Sequence, residues 1–269
     1  MKNAFDDFYD NPRNRSVRKA NDLIQKSRFD LSLQQQKVIL YLISKISPYD
    51  KDFQTYEFNI KEFCQVCGID YQSGRNYEAL KDQIKRIADK SIWIRIPEKK
   101  EQTLIRWIEK PRIKENSGIV EIKLDEDLKP YLLQLRQNFT QYELIYTLCF
   151  NSKYTIRLYE LIKSIQYDEL KPYEREYDLD EFKDLLGASS YKAYHHFKER
   201  VLDRAVTEIN EHSDKNIEYA LIKSGKKVIG IRLKISTKEI VERIKIRAEI
   251  EDLLPKQISI SEYLEEQKN

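Results

Sequence analysis

The chain has 269 residues, 41% of them hydrophobic and 35% charged, with 6 Gly and 7 Pro. That suits one large or two modest globular domains and argues against a turn-rich sandwich or barrel. The net charge of +3 names no partner, so the local placement of charge has to decide. No run of about 18 apolar residues exists, which excludes a membrane span. The start, MKNAFDDFYDNPRNR, lacks the apolar core of a signal peptide. Three cysteines are too few for a disulfide scaffold, so a cytoplasmic protein with free thiols is expected.

In chain order, the pattern predicts an N-terminal helix over roughly 16–27 and an apolar helix over LQQQKVILYLISKI (33–46). A short strand, a short helix (60–67) and a longer helix (73–88) follow. A strand pair then spans 92–108, with alternating Ile92, Ile94 and Ile96 and a turn at PEKKEQ. After a connector around 125–150 comes an apolar helix at KYTIRLYELIKSI (153–165). A second short helix (179–186), a longer helix (189–208) and a strand pair over 217–235 with its turn at KSGKK follow in turn. A helix near 237–252 and an acidic tail close the sequence.

The order of elements repeats. YEFNIKEFCQVCGI (56–69) aligns with REYDLDEFKDLLGA (175–188), so that Glu57, Glu62, Phe63 and Gly68 fall on Glu176, Glu181, Phe182 and Gly187. With a two-residue shift, Leu80, Lys81, Ile84 and Ala88 fall on Phe197, Lys198, Val201 and Ala205. Each short helix ends at a glycine suited to a left-handed cap and leads through a few polar residues into a longer helix, a helix-turn-helix pattern. A helix-turn-helix with a trailing hairpin is a winged helix. The expected fold is therefore α+β, with two tandem winged helices related by duplication: 15–136, 137–252, and an acidic tail at 253–269.

At about 100° per residue, Phe197, Val201, Leu202, Ala205 and Ile209 form a buried stripe, and His196, Glu199, Arg200, Asp203 and Thr207 lie opposite. A charged helix face is by default merely solvated. Here, however, it belongs to the second helix of a helix-turn-helix, the part that enters a major groove. Its first turns carry Ser190, Lys192, His195 and His196, donors suited to phosphates and base edges, and Arg200 and Arg204 follow. Lys198 falls inside the apolar stripe, either snorkelling past the core or reaching a phosphate. The matching helix of the first copy offers Arg75, Asn76, Lys81, Lys85 and Arg86, a less purely basic face. Lys99 and Lys100 sit at the first hairpin turn, Lys226 and Lys227 at the second, and residues 223–234 hold no acid. Lysines placed near phosphates release counterions and make binding salt-dependent.

These residues give the chain a family resemblance. From about 15 to 236, and most specifically in VRKANDLIQKSRFDLSLQQQKVILYLISKI (17–46) and YKAYHHFKERVLDRAVTEIN (191–210), it resembles the iteron-binding initiators of theta-replicating bacterial plasmids. The resemblance implies monomers that bind tandem origin repeats, help to open the duplex and recruit host replication proteins. It also implies homodimers, joined largely through the first domain, that bind an inverted operator repeat and repress their own gene, a form of copy control. By the same resemblance Lys192, His196, Arg200 and Arg204 occupy the DNA-contacting helix of the second, main reading domain. A transcriptional regulator with no role in replication would use the same surfaces.

Enzyme readings find little support. Rolling-circle nicking needs a metal held by a His-hydrophobic-His motif, and His195 and His196 are adjacent, pointing about 100° apart. Cys64 and Cys67 lack a second pair for zinc. In the repeat Cys67 takes the place of a buried Leu186 and Cys64 that of a surface Lys183, so both are expected as core filler. No Walker-type loop appears, and Asp178 and Asp180 are explained as helix caps. No catalytic residue, metal or cofactor is expected.

Overall fold

The computed structural model describes residues 11–68, 74–96, 100–114 and 117–254, without the side chains of residues 74–77 and 96. The first winged helix is built on α2 (Leu33–Ser44), which follows the short α1 (Asn21–Gln25). Ser32 starts α2 with a reciprocal cap. Its hydroxyl accepts from the Gln35 amide, and the Gln35 side-chain oxygen accepts from the Ser32 amide. Every residue of α2 from Gln35 to Ser44 is buried, so this helix runs through the core. The strand β3 (Tyr56–Asn59) leads into α3 (Ile60–Val66), which Asn59 caps by accepting from the Lys61 amide. Gly68 then takes a left-handed φ of 68°, and α4 (Gly74–Ala88) follows.

The second winged helix repeats the plan. After α5 (Lys129–Leu132), β8 (Phe139–Glu143) and α6 (Ile145–Leu148) comes α7 (Lys153–Ile165), over the residues expected. The strand β9 (Tyr173–Asp178) leads into α8 (Leu179–Leu185), whose first amides, those of Asp180 and Glu181, donate to the Asp178 carboxylate. Gly187 closes α8 at φ 71°. The long helix α9 runs over 194–212, and β10 (Lys215–Ser224), β11 (Lys227–Thr237) and α10 (Ile240–Leu253) complete the chain.

Sheet pairing distinguishes the two copies. In the second copy β9 pairs with β11, and β11 with β10. In the first copy β3 pairs with β7 (Ile119–Leu124), and β7 with β6 (Ile108–Lys114). The strand pair expected as the first wing, β4 (Ser91–Ile96) with β5 (Glu101–Arg106), is therefore a hairpin inserted before the topological wing β6–β7. Its β4 pairs with the two-residue strand β2 (Ser27–Arg28). Both hairpins have strand periodicity, and only the long-range partner of β3 tells them apart.

Three further expectations change. Residues 16–20 form β1 (Ser16–Ala20), not the first turns of a helix, and pair with β8. Val17 and Lys19 point inward there, and the Lys19 ammonium meets Glu160 at 2.6 Å. Lys183 is buried, with its ammonium 5.5 Å from the Phe197 ring centre, and Cys64 opposite it in the repeat is fully buried. Ser189 to Lys192 precede α9 as a turn, because the helix begins at Tyr194. The core-filler reading of the cysteines holds: burial pushes the Cys64 thiol up to about 11 and Cys67 to about 12.

Polar groups join the halves. The buried Arg157 guanidinium of α7 donates to the carbonyls of Ile24, Ser27 and Leu185 and lies 4.4 Å from the Phe29 ring centre. Asp184 of α8 accepts from Arg28 at 2.6 Å and from Arg95 of the inserted hairpin at 3.1 Å. A buried charge is tolerated where its hydrogen bonds are met, and these contacts do so across the seam.

Candidate nucleic-acid interface

Helix α9 is held by its apolar stripe. Phe197, Val201, Leu202, Ala205 and Ile209 are all fully buried, as the spacing predicts. The opposite face begins with Ser190 and Lys192 in the preceding turn, then His195, His196, Glu199 and Arg200, all exposed. The two imidazole rings lie 4.0 Å apart, centre to centre. Lys192, His195, His196 and Arg200 have no carboxylate within ion-pair distance among the described residues. An N-terminal helix half rich in free donors, next to an open turn, has the shape and chemistry to enter a major groove.

The middle of α9 departs from the α-helix. Tyr194–Phe197 is α, Lys198–Asp203 is a π-helical segment, and Arg204–His212 is α again. Lys198 sits there, half-exposed, and donates to Asp203 five residues on at 2.6 Å. The hydrogen bonds to Asp203 and Tyr219 hold the Lys198 ammonium above the usual lysine range. Snorkelling along the stripe towards a carboxylate is therefore its arrangement in the free protein. Arg204 is also engaged. It donates to Glu208 at 3.0 Å and to the Asn151 carbonyl at 3.0 Å, while Glu208 accepts from the Asn151 amide.

The second wing supplies a separate cluster. Lys223, Lys226 and Lys227 are exposed around a turn that Gly225 makes at φ 58°. Farther down, Arg232 pairs with Glu176 and Lys234 with Glu218 on the neighbouring strands. The sequence window 223–234 contains no acid, yet the sheet brings two acids to it. Ile229 breaks the strand alternation and is exposed, because the β10–β11 register shifts beside it.

In the first copy the side chains of Arg75 and Asn76, and Lys99 entirely, lie outside the described residues. Lys85 is exposed; Lys81 pairs with Glu78 at 3.8 Å, and Arg86 with Asp82 at 2.6 Å. Lys100 is exposed with φ 55° on the inserted hairpin, away from the topological wing β6–β7. The described surface of α4 is thus largely neutralised by its own acids. Sequence reasoning missed Asp203, Tyr219 and the Arg28–Asp184–Arg95 contact. Adjacent buried residues such as Val201 and Leu202 are ordinary on an amphipathic helix and give no signal of the changed period.

A cleft of about 560 Å³ lies between the halves, lined by Lys26, Arg28, Arg95 and Arg175 together with Asp180, Glu181 and Asp184. Its mixed charge selects for neither sign. Among the described residues no three His, Cys, Asp or Glu side chains converge as a metal set, and no helix is long and apolar enough to cross a membrane.

Comparison with known proteins bears on both halves. Residues 16–163 match the family described as Initiator Replication protein, WH1, and residues 178–235 that described as Initiator Rep protein, WH2. A replication initiation protein of Escherichia coli is 28% identical over 218 residues, 78% of this chain and 66% of that protein, so the chain spans just under two thirds of it. An uncharacterized 27.6 kDa protein of Escherichia coli is 25% identical over 230 residues, covering 80% of this chain and 93% of that one. The crystal structure of the Pi initiator protein in complex with iteron DNA covers 84% of this chain and 99% of its own, with a TM-score of 0.68 and 19% identity, a likeness of fold.

Proposed function

Because the chain belongs to the Initiator Replication protein family through both its WH1 and WH2 parts, we propose that it is a plasmid replication initiator that reads repeated DNA at an origin. The observation that carries this reading is the exposed, unneutralised donor set Lys192, His195, His196 and Arg200 at the start of α9, flanked by a lysine-tipped wing. In this reading α9 enters the major groove, and its guanidinium and imidazole groups meet base edges. The wing lysines meet the phosphates alongside and fix the register without reading sequence. Residues 137–252 carry most of the reading. Residues 15–136 add weaker, phosphate-directed contacts through Lys85 and Lys100. Bound copies distort the duplex and recruit host replication proteins.

The first domain also supports self-association. On the inserted hairpin Trp93 and Leu104 face each other in register, 45% and 52% exposed, and β5 has no strand on its outer edge among the described residues. An exposed apolar pair beside an open edge suits a second copy. A homodimer built there would present two reading helices to an inverted operator and repress its own gene.

The test is binding to duplexes selected by the protein from a randomised pool, measured by fluorescence anisotropy from 50 to 200 mM salt. With 6–10 phosphate contacts, affinity should fall by about 10³–10⁵ over that range. Failure to enrich any sequence, or affinity indifferent to salt, would sink the reading in favour of a protein-interaction module. Enrichment of a lone palindrome with no direct repeat would favour a regulator without a replication role.

A further inference from the structure

The π segment sits where the reading helix passes from its exposed N-terminal half to its anchored C-terminal half. Three side chains meet there. Asp203 accepts from the Lys198 ammonium at 2.6 Å and from the Tyr219 hydroxyl, and the ammonium lies 6.0 Å from the Tyr219 ring centre. Tyr219 stands on β10, opposite Leu233 of β11, so the wing sheet itself grips the helix. Residues five apart meet on one side of a helix where the turn closes at i+5, as a π segment does. The contact and the backbone geometry therefore support each other.

The extra residue has a consequence that the duplicated helix exposes. Leu80 and Ile84 of α4 match Phe197 and Val201 in burial, 117 positions on. The next buried residue of α4, however, is Ile87, three on, whereas α9 buries both Leu202, one on, and Ala205, four on and 118 positions from Ile87. This pattern is that of a helix holding one extra residue between Val201 and Ala205, which is what the π segment accommodates. Arg200 and Arg204 stay near one another on the helix surface in either case, about 40° apart in an unbroken α-helix and about 60° apart to the other side once one residue is added. What distinguishes them is pairing: Arg204, although exposed, is engaged by Glu208 and the Asn151 carbonyl. Arg200 is left exposed on the groove side.

We infer that the π segment, latched by Asp203 to Lys198 and Tyr219, determines specificity by fixing the direction in which the N-terminal half of α9 presents Arg200 to DNA, which makes Asp203 and Tyr219 positioning residues. The inference rests on the DNA-reading function proposed above. A latch of this kind acts through direction. Losing it leaves the number of positive charges near the DNA unchanged but lets the N-terminal half of α9 swing relative to the wing. Discrimination among bases then suffers more than attraction to phosphate.

The test uses the full chain and three variants, Tyr219→Phe, Asp203→Asn and Asp203→Glu. The duplexes are those selected by the wild type, their single-base-pair variants, and a scrambled duplex of the same composition. Tyr219→Phe alters no charge and removes one hydroxyl, so it separates direction from electrostatics even if Asp203→Asn folds poorly. Tyr219→Phe and Asp203→Asn should each lower the ratio of selected to scrambled affinity about tenfold, the scale of one good base contact. They should flatten preference at the same base pairs that Arg200→Ala flattens, while Asp203→Glu keeps most of the wild-type ratio. An unchanged ratio and base profile in Tyr219→Phe would overturn the inference, as would equal losses on selected and scrambled duplexes. If the wild type itself prefers no duplex, the DNA-reading function fails first and takes this inference with it.

Discussion

The two winged helices start from the same pattern and complete it differently. In the second, the short strand β9, the reading helix and the wing follow one another directly. In the first, the hairpin β4–β5 intervenes between α4 and the wing β6–β7, and it faces the second half, where Arg95 reaches Asp184. The helices differ in the same sense. The described basic groups of α4 are mostly paired with acids one turn away, Lys81 with Glu78 and Arg86 with Asp82. In α9 the pairing is concentrated at and beyond the π segment, and the N-terminal turns stay unneutralised. In the proposed function one copy serves docking and the other DNA contact, although both are anchored by an apolar stripe.

That contrast can be broken in several ways. The largest effect tests the shared part. Phe197→Ala should cost about 3–5 kcal/mol and Leu80→Ala about 2–5 kcal/mol in urea denaturation, the range for emptying a core site. A cost below about 1 kcal/mol for either would mean that the helix is not anchored by its stripe. Next come the arginines. Arg200→Ala should cost about 1–3 kcal/mol of DNA binding and relax preference at particular base pairs. Arg204→Ala should instead lower folding stability by about 1–3 kcal/mol, because Glu208 loses its charged partner, and leave the base profile unchanged. If Arg204→Ala relaxes base preference as Arg200→Ala does, Arg204 reads bases despite its pairing with Glu208.

A smaller effect separates the copies by mode of contact. Lys226→Ala and Lys85→Ala should each weaken binding to all sequences alike and reduce the salt slope by about 1. A sequence-dependent loss from Lys85→Ala would restore α4 to the rank of a reading helix. The smallest effect concerns acid stability of the second half. Burial raises the Glu169 carboxyl, but Lys163 and Lys215 outweigh it and hold the group at about 2, below its ordinary 4.5. A carboxyl depressed in the fold stabilises it above the ordinary value and loses that contribution as pH falls towards the depressed one. Glu169→Gln should therefore flatten the decline of Tm between about pH 4.5 and 2, and an unchanged acid limb would remove this group from the contacts that stabilise the second half.

Much of this was legible from local pattern. Gly68 and Gly187 cap their helices with positive φ, Asp178 caps α8, and α7 spans the residues its apolar period marks. The stripe of α9 is buried residue for residue. The site residues were legible as positions, and their engagement was not. Arg204 reads as an unpaired donor, and Lys198 as either a snorkelling stem or a phosphate contact, until Asp203, Glu208 and Asn151 are in place. Identity even misleads here: Ala88 and Ala205 align in sequence, but Ala205 takes the burial of Ile87.

Residue order alone determined the duplication, the caps and the buried faces, because each depends on side chains within a turn or two of one another and on a period that the backbone imposes. Tertiary structure decided which hairpin is a wing, why residues 16–20 are a strand, and which arginine is free. Those outcomes rest on partners far apart in the chain, such as β3 with β7, Lys19 with Glu160, and Tyr219 with Asp203. Periodicity carries no record of such pairings, since a strand or a cation shows the same local pattern whichever partner it finally meets.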